Sequence, residues 1–386
     1  MNERSGYDVV IIGAGVIGLA VALQLRRAGV TDVLVVERNA SPGMGSTSRA
    51  NGGVRAQFSS AVNIAFSRFS IARLAELDDM TRGLVGLRRI GYLFLTGTAV
   101  GANALRRAYE LQRSLGVAVD WLSVDEVAGL APHVDTRGLG AATFGAEDGI
   151  IDPHGVVSAL WRQARELGVA FAFDTEVTGL EHSAQRVTVR TTHGVIEAGH
   201  VVNAAGPSAR EAAKLAGLQL PVTSRRRNLA CTEGVPGARE AIPMSVDLDT
   251  GVLIRREGAG FLIGYSSPDE PPGFDTTFDP TFLDDVAQRI GRRFSFLEGV
   301  AINPRKCWAG LYPETADHHA IIDAPATCPR FIQCAGFGGH GIMHSLAAGE
   351  AVAELVRDGR CSTFDLHPLR LGRFDDGDLA VETAVL

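Results

Sequence analysis

Lysine is nearly absent from this chain: 386 residues hold two, Lys214 and Lys306, against 35 arginines. An arginine therefore carries little local information here, while each lysine needs its own explanation. Cysteine is scarce as well. The five thiols (Cys231, Cys307, Cys328, Cys334 and Cys361) are odd in number, scattered and without a Cys-x-x-Cys pair, which excludes a disulfide framework and fits free thiols in a reducing cytosol. No apolar run approaches the ~20 residues of a membrane-spanning helix. The opening Met-Asn-Glu-Arg-Ser-Gly lacks the charged-then-apolar layout of a signal peptide, so the expected location is the cytoplasm. Excess positive charge is missing too; a net charge of -7 excludes nucleic-acid binding as the main task. What remains is a globular composition, 46% hydrophobic and 21% charged, in a chain longer than the ~100–200 residues of one domain.

Hydrophobic periodicity divides the chain into alternating blocks. Tyr7 to Ile12 is an apolar strand, Val16 to Ala28 a helix, and Val33 to Val36 a second buried strand, a βαβ unit. Ser59 to Met80 repeats at helical spacing. A mixed segment follows, with a strand at Ile90 to Leu95, a helix at Ala102 to Leu115 and a capping box at Ser123 to Glu126. Asp152-Pro153 starts another helix, and short strands are expected at 169–173, 177–180, 186–191, 195–197 and 201–205. Strands dominate 222–312, and a final strand (331–335) and helix (342–356) close the pattern. This order predicts an α/β protein with a Rossmann-like nucleotide-binding domain and a mixed α+β substrate domain built on a large antiparallel sheet. The expected boundaries are 1–84, 150–220 and 314–370 for the first domain, 85–149 and 221–313 for the second, and an acidic tail at 371–386.

The βαβ turn reads Gly13-Ala14-Gly15-Val16-Ile17-Gly18, and Glu37 follows Gly18 by 19 residues. Gly13 permits a tight turn, Gly15 lets backbone approach a pyrophosphate, and Gly18 lets helix pack on strand. Val16 and Ile17 begin that helix, and Glu37, beside Arg38, can hold a ribose hydroxyl. Residues 45–55 bring small hydroxyls, glycines and two arginines just after the second strand. Gly45, Ser46, Thr47, Ser48, Asn51, Gly52 and Gly53 could close over the pyrophosphate, with Arg49 or Arg55 pairing an anion; the alternative is a polar surface loop.

These stretches, together with "NAAGPSA" at 203–209, "WAGLYPETADHHAIID" at 308–323 and "CAGFGGHGIMHS" at 334–345, resemble the D-amino-acid-oxidase-like FAD oxidoreductases, in particular the sarcosine oxidase and glycine oxidase branch. The resemblance implies FAD, oxidation of an amine beside a carboxylate, imine hydrolysis and oxygen as the usual acceptor. It also implies cofactor contacts at Val177, Ala205, Gly206 and Gly310. In the second glycine-rich turn, Gly336, Gly338, Gly339, Gly341, Ile342 and Met343 would set a helix N-terminus at the flavin ring, where amides and helix dipole favour negative charge. His340 in that turn is either an acid–base group or a packing residue.

Departures from the sarcosine oxidase pattern refine the expectation. Gly310 stands where monomeric relatives carry the cysteine that bonds the flavin, and Cys307 lies three residues upstream; non-covalent FAD is expected. Arg55 matches the arginine that pairs with the substrate carboxylate, and Tyr312, where glycine oxidases have an arginine, could bond the same carboxylate or simply pack. The second carboxylate lysine is replaced by Met343, which suits a bulkier N-substituent. The oxygen-activating lysine is replaced by Leu262. Lys306 could supply the missing positive charge or be a solvated strand end. Tyr265 and Trp308 are candidate aromatic walls, and Arg225-Arg226-Arg227 reads as a solvated turn or strand edge, with reach to an extended acidic substrate as the lesser alternative.

The implied activity is oxidation of an N-substituted glycine or related secondary α-amino acid, with hydride passing from Cα to flavin N5, imine hydrolysis to glyoxylate plus amine, and reoxidation by O2 to H2O2. Alternatives are an FAD-dependent dehydrogenase of an amino acid such as proline, or of a 2-hydroxy acid, using another acceptor, and a non-catalytic FAD-binding assembly factor. The expected partner is a small amino-acid substrate, without nucleic acid or membrane span. Oligomeric state is left open.

Overall fold

A computed structural model describes residues 6–238 and 242–384; the first five residues, on which the signal-peptide reading rests, lie outside it. Strand β1 (Gly6–Ile12), helix α1 (Val16–Arg27) and strand β2 (Val33–Val36) form the expected opening unit. β1 is flanked in parallel by β2 and by Gly194–Asn203, which in turn pairs in parallel with Phe331–Ala335. Ala170–Ala172 extends the β2 edge, and Ile321–Asp323 closes the other edge antiparallel. Parallel strands covered on both faces need near-continuous apolar sequence, and Val9, Val10, Ile11, Val33 and Val35 are accordingly buried.

Gly194–Asn203 is one ten-residue strand, where the sequence pattern suggests two short ones. Gly199 interrupts the apolar run, but a Cβ there would lie 2.8 Å from the Asp8 carbonyl oxygen. The glycine thus marks a close approach of two backbones inside a continuous strand. The helices Ala61–Met80, Pro153–Glu166 and Gly341–Asp358 share one core with α1. Gly349 allows the last of these to press on α1, since an added Cβ would meet the Ala20 carbonyl oxygen at 2.7 Å.

The second sheet has eight strands, in the order Trp308–Glu314, Thr223–Cys231, Gly260–Gly264, Val252–Glu257, Met244–Asp247, Tyr92–Thr96, Ala141–Gly145 and Asp120–Leu122. All neighbours are antiparallel except Met244–Asp247 with Tyr92–Thr96. The fold is therefore mixed α/β, with a parallel-centred sheet and a large, mainly antiparallel one. Among the described residues no helix is long and apolar enough to cross a membrane, and all five cysteines are free.

Candidate cofactor and substrate site

At the carboxyl ends of β1 and β2, the first glycine turn folds as its spacing demands. Gly13 has φ +105°, and a Cβ there would meet the Ala204 carbonyl oxygen at 2.6 Å. At Gly18 a Cβ would fall 1.9 Å from the Gly13 carbonyl oxygen, so Gly18 serves packing behind the turn. Gly15 is the N-cap of α1 and has no side-chain cap, although the Val16 amide donates to Thr47 Oγ1 at 3.2 Å. Glu37 is buried and accepts from the Ala14 amide at 2.8 Å and from the Asn39 amide at 2.9 Å. A carboxylate in a predominantly apolar surrounding keeps one orientation when backbone donors fix it.

A cavity of about 730 Å³ runs from this turn to the second one. Gly13, Gly15, Val16, Ile17, Glu37, Arg38, Gly45, Ser46, Thr47, Arg49 and Asn51 line its first half, with Val177, Ala205 and Gly206. Gly310, Tyr312, Tyr265, Gly336, Gly338, Gly339, Gly341 and Ile342 line the other. Ser48, Gly52 and Gly53 line neither this nor the adjoining cavity. Ser48 Oγ donates to the Gly45 carbonyl, Gly52 (φ +78°) packs on the Ile151 carbonyl, and Gly53 packs on Tyr92 Oη.

The loop 45–51 is fastened to the Trp308–Glu314 strand. Ser46 Oγ donates to the Leu311 carbonyl at 2.7 Å, Arg49 Nη1 to the Ala309 carbonyl at 2.7 Å, and Trp308 Nε1 to the Arg49 carbonyl at 2.9 Å. A Cβ on Gly310 would stand 2.9 Å from Arg49 Cβ, which explains physically why no side chain, and no tethering thiol, occupies that position. Cys307 lines neither cavity. Trp308 packs with Leu229, Cys231 and Leu262 instead of forming a cavity wall. Lys306 sits exposed on the 3-10 turn Pro304–Lys306 and lines neither cavity, so the structure does not bring it to the site.

The second glycine turn closes the long cavity with helix amides. Gly338–His340 forms a 3-10 turn running into Gly341–Asp358, and neither start has a side-chain cap. Gly336 (φ +79°) and Gly338 (φ +51°) make the turn. At Gly339 an added Cβ would touch the Tyr312 ring at 2.6 Å. Uncapped amides at both ends, glycines wherever a side chain would fill the cavity, and the fixed Glu37 together fit FAD: the α1 terminus and loop 45–51 for the pyrophosphate, Glu37 for the ribose, and the Gly339–Met343 terminus for the ring.

A smaller cavity of about 330 Å³ adjoins at Asn51, Arg227, Ser266, Tyr312, Gly336, Gly338 and Gly339. Its further lining includes Arg55, Tyr92, Glu314, His318, His340 and Met343. Arg55 is buried, with its guanidinium carbon 3.9 Å over the Phe58 ring. It donates to the Gln57 and Ala384 carbonyls, while its Nε is buried without a partner. Burial lowers its pKa, as it raises that of Tyr312, despite Arg227 and Arg55 nearby. Burial, with Arg55 second, pushes His340 down to about 3; it is a neutral imidazole at physiological pH, with Nε2 unpartnered.

Buried groups around Arg55 that line neither cavity leave no sequence signal. Asp148 accepts from the Ala56 amide at 2.8 Å and from Gln57 Nε2 at 2.9 Å, and burial lifts its pKa to about 6. Glu382, in the tail, is buried and accepts from Ser59 N, Ser60 Oγ and Asn63 Nδ2. The Arg225 to Arg227 run is a strand edge and not a solvated turn: it lies in Thr223–Cys231, paired with Gly310 to Tyr312 on one side while the Gly260–Gly264 strand joins only at Leu229 to Cys231, and it is half-buried and ion-paired.

Comparison with known proteins gives this geometry a context. The family model described as DAO, FAD dependent oxidoreductase, matches residues 8–355. "FAD-dependent oxidoreductase domain-containing protein 1" of Bos taurus is 32% identical, over 100% of this chain and 87% of its own length. The crystal structure of L-proline dehydrogenase from P. horikoshii superposes with a TM-score of 0.90 at 28% identity, covering 98% of this chain and all of that one. Glycine oxidase from Geobacillus kaustophilus gives a TM-score of 0.84 at 25% identity, covering 96% and 99%.

Proposed function

Because the chain belongs to the FAD dependent oxidoreductase family, with FAD as its non-covalent cofactor, we propose that it oxidises the Cα–N bond of a secondary α-amino acid, an N-substituted glycine or a cyclic relative. The observation that carries this is the small cavity against the second glycine turn, lined by Arg55, Tyr312, His340 and Met343. Bound FAD supplies the two-electron acceptor for the substrate's Cα hydride, and water then converts the imine to oxo acid and amine.

The chain's own groups hold and orient. Arg55 offers its free Nε to the substrate carboxylate, and Tyr312, kept protonated by burial, donates a hydrogen bond to it. Neutral His340 places no positive charge beside the amine, and the apolar Met343 wall favours the neutral amine that can release hydride without a base. The uncapped Gly341–Met343 amides supply positive potential at the ring end. The division of the chain at 84, 150, 220 and 314 would then separate cofactor-bearing from substrate-bearing segments.

Oxygen, reduced to H2O2, is the first acceptor reading. A second, dehydrogenase reading is favoured by Leu262, fully buried among Leu229, Cys231 and Trp308, and by Lys306 lying outside the cavities; the likeness to L-proline dehydrogenase points the same way. Anaerobic titration with N-alkyl glycines, proline and 2-hydroxy acids, followed by admission of air, tests both. Bleaching by amines alone is expected; flavin left oxidised by every amine would refute the proposal. Rapid return of absorbance with H2O2 marks an oxidase, slow return a dehydrogenase.

A further inference from the structure

The proposed reaction leaves the arginine run unused. Strand alternation sends Arg225 and Arg227 to one face and Arg226 to the other. Arg226 is fully engaged, by Glu270 at 3.1 Å, Asp275 at 3.1 Å and Asp279 at 2.9 Å. Arg227 turns to the cavities and lines both. Its guanidinium carbon is 5.6 Å from the Tyr312 ring centroid, and Nη2 lies 2.8 Å from Glu314 Oε1. Nη1 donates to the Arg226 carbonyl at 3.1 Å, and Nε is buried with no partner.

Glu314 also lies 3.9 Å from Arg225 Nε, so one carboxylate serves two guanidinium groups and the cluster retains positive charge. Tyr312 feels both Arg227 and Arg55. Four arginines have a buried Nε without a hydrogen-bond partner among the described residues: Arg55, Arg227, Arg289 and Arg293. Arg289 lies over the Tyr265 ring and Arg293 beside Asp247. The other two both line the small cavity, as does Tyr312, on which both act electrostatically. A buried guanidinium N–H without a protein acceptor is costly, and at a cavity wall it takes its acceptor from water or from a ligand oxygen.

We propose that the substrate is a dianion: a secondary amino acid whose N-substituent ends in a second carboxylate, with the α-carboxylate at Arg55, the methylene spacer along Met343 and the distal carboxylate at Arg227 Nε. This rests on the amine-oxidation reading above, and it makes Arg227 the specificity-determining residue.

The test uses FAD-loaded protein and two unreactive analogues, thiodiacetate and (methylthio)acetate, titrated by the change in flavin absorbance. The wild type should bind thiodiacetate at least about tenfold more tightly. Arg227→Gln should weaken thiodiacetate by about 10–100-fold and (methylthio)acetate by less than about threefold, the loss of one charge-assisted hydrogen bond. Glu314→Gln, which releases Nη2, should tighten thiodiacetate. Equal binding of both analogues by the wild type, parallel weakening in Arg227→Gln, or looser thiodiacetate binding in Glu314→Gln overturns the proposal. Selective thiodiacetate binding without bleaching by iminodiacetate or any other amine would keep the dianion site and refute the amine oxidation instead.

Discussion

Gly339→Ala separates the positioning of Tyr312 from the stability of the second glycine turn. Gly339 has a backbone any residue can adopt, since its φ is not positive, so alanine brings no torsional strain. Its methyl would instead stand 2.6 Å from Tyr312 Cε2 and 2.7 Å from Cζ, against the roughly 3.5–4.0 Å of an unstrained carbon contact. The ring must retreat by about 1 Å, and a displacement of that size at a reacting geometry costs on the order of 100-fold in rate. Gly338→Ala is the opposite case. Its φ of +51° is left-handed, and the nearest atom to an added Cβ is Glu314 Cγ at 3.7 Å, so it should lose about 1 kcal/mol of stability with the ring undisturbed. Stopped-flow rates of anaerobic flavin reduction, with thermal melting of each holoprotein, read the two effects separately. A Gly339→Ala reduction rate within about threefold of wild type, or a larger rate loss in Gly338→Ala, would refute the positioning of Tyr312 by this contact.

Two further perturbations concern buried carboxylates with opposite pH behaviour. Glu382→Ala strips the acceptor from Ser59 N, Ser60 Oγ, Asn63 Nδ2 and Ala384 N, and should cost about 3–5 kcal/mol, seen as a thermal midpoint lower by several degrees; a loss under about 1 kcal/mol contradicts the contact set. Although burial opposes it, hydrogen bonding from Ser59, Ser60 and Ala384 leaves the Glu382 pKa lowered, so its contribution is present above the ordinary value of 4.5 and fades as pH falls. Asp148 runs the other way: with its pKa raised from 3.8 to about 6, its contribution is complete below 3.8 and is lost as pH rises through 6. Holding it ionised at pH 8 costs on the order of 3 kcal/mol, and Asp148→Asn should flatten the wild-type stability slope between pH 4 and 6 in urea titrations; an unchanged slope would show the group titrates elsewhere.

What the sequence disclosed depended on how far apart the interacting residues lie. The Gly13 to Gly18 turn and Glu37 were legible because turn, helix start and acid belong to one local unit, and the 334–345 turn because its glycines supply conformations and close approaches that few other residues allow. Asp148 and Gln57 are 91 residues apart, and Glu382 is 323 from Ser59, so only tertiary pairing unites them. The solvation expected of the arginine run failed for the same cause: its partners Glu270 and Glu314 lie 44 and 87 residues from the arginines they meet, and three adjacent charges with no visible partner look solvated. Composition deepened the problem. With 35 arginines, type alone cannot single one out; the informative property is an unpaired N–H at a buried cavity wall. That property selects Arg55 and Arg227, and it rejects Lys306, the residue that rarity made conspicuous, because an exposed ammonium satisfied by water has nothing left to require of a ligand.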